Sequence, residues 1–191
     1  MKRTKRIKNL AFLLVTALLL ALAACGTEKE VNEPPTQSTP TELFEAIWDA
    51  IPSDKKIPAF GGDYEHSVSD KPAAFLGSAE TFDSLLGIPA ELFGKIDGAA
   101  SLMHMMNVNS FTGAVLHFST AGDAVASAET IKNHILERRW MCGFPDKVIV
   151  IDLGGGNLLT AFGINEAVDP VRDAALSAIE GAQLLCEAEI E

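Results

Sequence analysis

The sequence predicts an α+β domain: one antiparallel sheet of four strands in ββα then ββα order, its helices packed on one face, with short helices ahead of it. Two pairs of short apolar runs carry this reading, 101–108 with 114–119 and 147–153 with 158–164. Each pair is joined by a turn-forming stretch and followed by a segment of helical periodicity. Strand pairs followed by helices build an antiparallel sheet covered by helices, the α+β arrangement. A chain of 191 residues with 48% hydrophobic and 21% charged residues has enough apolar side chain for one core, so residues 41–191 are read as a single domain.

The elements follow in chain order. Residues 1–24 read as a signal peptide: Lys2, Arg3, Lys5, Arg6 and Lys8 form a basic start, and an apolar run from Leu10 to Leu22 follows, interrupted only by Thr16. The run is too short for the roughly 20 residues a spanning helix needs. Small residues Ala23 and Ala24 then precede Cys25. Leu22-Ala23-Ala24-Cys25 resembles the lipobox of bacterial lipoproteins, which implies cleavage between Ala24 and Cys25 and a diacylglyceryl group on the Cys25 sulfur. Two or more acyl chains hold a protein stably on a bilayer, each buried CH₂ contributing about 0.8 kcal/mol. The expected location is therefore the outer, extracytoplasmic face of the cell membrane.

Residues 25–40 comprise that cysteine and a polar, Pro-rich spacer with too little apolar surface to fold. A helix capped by Thr41 follows, with Leu43, Phe44, Ile47 and Trp48 on one face, stopping near Pro52. Residues 53–74 carry Pro58, Gly61, Gly62 and Pro72 and read as loop. Short helices are expected at 80–85 and from Pro89, then the first strand pair and its turn at 109–113. The longest helix should run over 122–141, ended by Gly143 and Pro145. In the second pair the β-branched run Val148-Ile149-Val150-Ile151 turns at Gly154-Gly155-Gly156-Asn157. A last helix, capped by Asp169 with Pro170 at its first position, should carry Val171, Ala175, Ala178, Ile179, Ala182 and Cys186 on one face.

Leu86-Gly87-Ile88-Pro89 before a short helix, Met106-Asn107-Val108 in a hairpin, then a long charged helix, a second hairpin and a final helix together resemble domain-of-unknown-function family 4358. The likeness covers roughly residues 80–185 and departs from the family's pattern at the Gly-rich turn 154–156. That family is found largely in lipoproteins and secreted proteins of Gram-positive bacteria; the resemblance implies no activity and supplies no catalytic residues.

The formal net charge is −11. Without the five basic residues of the first 24, ten basic face 26 acidic residues, so the chain from Cys25 onward carries −16. Such a surface repels phosphate backbones, which makes nucleic acid a poor partner. The expected partners are the membrane, through the lipid on Cys25, and an envelope protein or other surface component. No cofactor is expected.

Several residues carry candidate chemistry. Met103, His104 and Met106, with His117 on the neighbouring strand, offer thioether and imidazole groups of the kind that bind copper(I). A strand splits them, Met103 facing away from His104 and Met106, so the competing reading is a packed core. Asp152-Leu153-Gly154-Gly155-Gly156-Asn157 resembles the phosphate-gripping hairpin of actin-like kinases, against the plainer reading of a glycine turn. Cys142 and Cys186 either pair or are buried apolar residues. His66 and His134 have no partner at ligand spacing, and no Gly-x-Ser-x-Gly elbow is present. Arg138-Arg139-Trp140 reads as an interaction patch or a solvated helix end, and Glu187, Glu189 and Glu191 as a solvated tail. A non-catalytic binding domain is therefore the leading expectation, a soft-metal protein the second and an uncharacterised hydrolase the third.

Overall fold

The computed structural model describes residues 38–191, so the lipobox, Ala24 and Cys25 lie outside the described residues. Residues Gln37–Glu191 form one compact unit. The α+β class is observed, with one antiparallel sheet, but that sheet has eight strands rather than four.

Helix α1 spans Pro40–Ala50. Its cap is Thr39, two residues before the expected Thr41. The Thr39 hydroxyl accepts from the Glu42 N–H at 3.2 Å and the Glu42 carboxylate accepts from the Thr39 N–H at 2.8 Å, a reciprocal capping box with Pro40 at the first helical position. The segment read as loop contributes three very short strands, β1 Ala59–Gly61, β2 Val68–Ser69 and β3 Ala73–Ala74. Helix α2, Ala79–Leu86, ends on Gly87 in the left-handed conformation. The helix expected from Pro89 is a 3-10 turn over Ala90–Lys95.

The central four strands are β4 Ile96–His104, β5 Phe111–Phe118, β6 Lys147–Gly154 and β7 Asn157–Gly163, with helix α3 over Ala121–Leu136 between the two hairpins. Helix α4, Asn165–Ala178, begins ahead of the expected Asp169 cap and carries Pro170 in its interior. Burial of Ala167 and Val168 in the first two turns outweighs the hydrogen bond that proline removes. The chain then turns at Gly181 (φ +80°), and Gln183–Glu189, expected as helix and acidic tail, forms strand β8.

All pairings are antiparallel, in the order β2, β1, β4, β5, β7, β6, β8, with β3 beside β4 on the same edge as β1. Helices cover both faces, not one. On one face Phe44, Ile47 and Trp48 of α1 and Val168, Val171 and Ala175 of α4 pack on Leu102, Val115, Leu159, Ile149 and Ile151. On the other, Phe82 and Leu86 of α2 and Ala128, Ile131 and Ile135 of α3 pack on Leu116, Phe118, Leu158, Phe162 and Val150. The unbroken Val148–Ile151 run is fully buried for this reason, since a strand covered on both faces alternates between two cores instead of between core and water.

Candidate functional site

The expected soft-metal set is not assembled. Met103 is fully buried in the core, and Met106 is 85% exposed. Nδ1 of His104 accepts the backbone N–H groups of Met106 (3.1 Å) and Asn107 (3.2 Å), so it is unprotonated and already satisfied. His117 pairs with Gly98 in the register of β4 and β5, six residues before His104, which separates the two imidazoles by roughly 20 Å along the strand. Among the described residues, no group of three or more His, Cys, Asp or Glu could hold a metal ion.

His117 instead belongs to a cleft at the other end of β4. Strands β1 and β3 pair only with residues 100–104 of β4, and the Phe75 N–H reaches the Ala99 carbonyl at 2.9 Å, so Ile96–Gly98 stay uncovered on that edge. A cleft of about 490 Å³ opens there, walled by Thr39 and Pro40 at the start of α1 and by Phe75, Leu76, Phe82 and Phe93. The three phenylalanines meet edge to face, with ring centroids 5.1 and 5.2 Å apart. A smaller hollow of about 220 Å³ continues it past Asp97 and Gly98 to His117 and Ser38.

The polar group of the cleft sits at a β-bulge. Ile96 pairs with Phe118 and Gly98 with His117, so Asp97 is the extra residue between them. Asp97 and Gly98 of β4 thus both stand against the single position of His117, and the Asp97 carboxylate meets the imidazole there. Asp97 Oδ1 bonds His117 Nδ1, and Oδ2 accepts the Ser119 hydroxyl at 3.0 Å. The His117 bond, with Ser119 adding to it against partial desolvation, holds the Asp97 carboxyl below the usual carboxylate range. With Nδ1 engaged, the other ring nitrogen, Nε2, is the one left to act on a ligand. Ser119 donates to the aspartate rather than to the imidazole, and no hydroxyl or thiol among the described residues is hydrogen-bonded to Nε2. Asp97 thus orients the imidazole, and no side-chain nucleophile among the described residues is held against it.

Two other histidines also have aspartate partners that metal-ligand spacing does not reveal. His134 Nε2 meets Asp83 at 2.8 Å. His66 Nδ1 meets Asp63 at 3.0 Å beside a hollow of about 310 Å³ that shares Leu76 and Gly77 with the main cleft. Burial opposes the charge on Asp63, but hydrogen bonds from His66 and from the backbone of His66, Glu65 and Leu76 prevail and lower its pKa.

The remaining candidates have structural placements. Gly154, Gly155 and Gly156, with φ of 81°, 61° and 87°, make the β6–β7 turn. Arg138 donates to the Asp83 and Ser84 carbonyls and stacks over Trp140 and Phe162, so it braces α3 against α2 while Arg139 is exposed. Cys142 and Cys186 are both free, the first exposed and the second buried. Glu187 accepts from Lys147 and Arg172 within β8 rather than trailing in solvent.

A second apolar surface lies at the opposite end of the sheet, where Met106, Met141 and Phe144 are 85%, 77% and 74% exposed. The Asn107 and Asn109 side chains fasten its loop to the carbonyls of Cys142 (2.9 Å) and Met141 (2.8 Å). No helix among the described residues is long and apolar enough to cross a membrane. Comparison with protein-family models, with curated proteins and with solved structures finds no match to this chain.

Proposed function

We propose that this chain is a lipid-anchored lipoprotein of the outer face of the cell membrane, tethered through Cys25, whose domain binds a ligand or envelope partner without catalysing a reaction. The basic start, short apolar run and Leu-Ala-Ala-Cys sequence support the tether. Kinship with family 4358 belongs to the same proposal, supported by the hairpin, helix, hairpin, helix order over β4 to α4. The observation that carries the binding role is the apolar cleft, continued by a hollow in which the oriented imidazole of His117 has no side-chain nucleophile bonded to it among the described residues. An envelope partner has a second surface to meet at Met106, Met141 and Phe144, large exposed side chains of the kind that mark interaction sites.

The Asp97-held His117 also supports a hydrolase, in which the imidazole would act as general base on water. Turnover of short-chain p-nitrophenyl esters by the wild-type domain and by His117→Ala separates the two readings. The binding reading expects the same background rate from both proteins. A wild-type rate that falls by about a hundredfold in His117→Ala, the scale of a lost general base, would replace binding with hydrolysis.

A further inference from the structure

The charge and shape of the cleft name the class of ligand it takes. Its walls are apolar and aromatic, built from Phe75, Leu76, Phe82, Phe93 and Pro40, and its volume of about 490 Å³ falls in the range of small-molecule sites. Among the described residues its one charged lining residue is Asp97, which is held ionised by His117 and Ser119 and keeps half its side chain exposed. Lys95, two positions along the chain from Asp97, is already paired with Asp123 at 2.9 Å, so it offers an incoming anion little. The surrounding chain carries −16 from Cys25 onward, and a field of that sign draws cations toward a cleft and turns anions away.

We propose that the cleft binds cationic amphiphiles, with an alkyl or aryl body on the phenylalanine wall and an ammonium group at Asp97. The proposal deepens the binding role argued above. If the tether reading also holds, ligands that partition into a bilayer are the ones the domain meets at high local concentration.

The test is calorimetric titration of the domain Gln37–Glu191, which is one compact unit closed by its own helices on both faces, with decylammonium, decanol and decanoate below their micelle concentrations. Decylammonium is expected to bind about tenfold more tightly than decanoate, attraction of one head group and repulsion of the other each contributing about threefold, the scale of part-exposed charge pairs. Decanol should fall between them. Asp97→Asn should erase most of that spread, whereas Phe93→Ala should weaken all three ligands together, with circular dichroism confirming that both variants are folded.

Equal binding of the three probes, or a spread that survives Asp97→Asn, would overturn the assignment of the cationic head group to Asp97. Binding untouched by Phe93→Ala would overturn the placement in this cleft, and no saturable binding of any probe would overturn the site altogether. None of these outcomes bears on the tether, which Cys25 decides, or on hydrolysis, which His117→Ala decides.

Discussion

Replacing single glycines of the β6–β7 turn by alanine probes how the sheet is built next to His117. Gly154 and Gly156 have nearly the same backbone conformation, φ +81° and +87°, so alanine at either position costs about 1–2 kcal/mol of left-handed strain. Their surroundings differ. A Cβ on Gly154 meets nothing within 4 Å, whereas one on Gly156 lies 2.8 Å from the backbone oxygen of Phe118, at the junction of β5 and α3. Backbone cannot yield as a side chain would, and the displacement also strains the 2.8 Å bond from the Phe118 N–H to the Gly156 carbonyl, a net interaction of about 1 kcal/mol. Gly156→Ala should therefore cost about 1–2 kcal/mol more than Gly154→Ala. Urea unfolding reads this directly: with a slope of about 2 kcal/mol/M, both midpoints should fall, that of Gly156→Ala by a further 0.5–1 M or so. Equal midpoints would show that the contact with Phe118 is not a constraint, and an unchanged Gly156→Ala midpoint would refute the left-handed turn itself.

Two further outcomes follow from the titrating groups. Cys186 is buried, donates to Glu129 at 3.1 Å and has its thiol pKa pushed up to about 11 by burial and that carboxylate, so iodoacetamide at pH 8 should add one group to the native domain, at exposed Cys142, and two after urea. Two native adducts would contradict the burial of Cys186 in β8. Asp63, whose pKa is depressed in the fold, contributes stability that is present above the unfolded carboxyl value of about 3.9 and is lost as the pH falls through its lower folded value. Urea midpoints should accordingly drop less steeply below about pH 4 in Asp63→Asn than in wild type; parallel profiles would show that the hydrogen bonds to Asp63 do not favour its anion.

The two central hairpins are legible in the sequence because their signals are local: a β-branched run, a glycine turn with positive φ, and apolar blocks too short for helices. The periodicity of α3 is visible for the same reason. Strand β8 is not legible, since Ala182 and Cys186 fall four apart as on a helix. What makes a strand of them is the open edge of β6, whose Val150 pairs with Cys186 in the fold. Pro170 misplaces the start of α4 because its fitness for a first turn is a local preference, while burial of Ala167 and Val168 is a tertiary one. The pairing of helices to both faces is foreshadowed by the Val148–Ile151 run, which alternation with water would have interrupted.

The site is harder to read than the fold. Asp97 and His117 lie 20 residues apart and meet only through the register of β4 with β5 and one bulge, neither of which is set by spacing. Asp63 and His66, three apart, are within reach of local reading, but a search for metal ligands passes over a two-residue pair. The methionines draw attention by composition alone, and the fold divides Met103 from Met106 between core and surface.

The tether is tested most directly by the intact mass of the mature chain from the membrane fraction of cells making wild type and Cys25→Ala. The account expects a wild-type chain that begins at Cys25 and carries a lipid-sized mass increment, and a Cys25→Ala chain without that increment. A wild-type chain of unmodified mass, released in the same form as the variant, would contradict it.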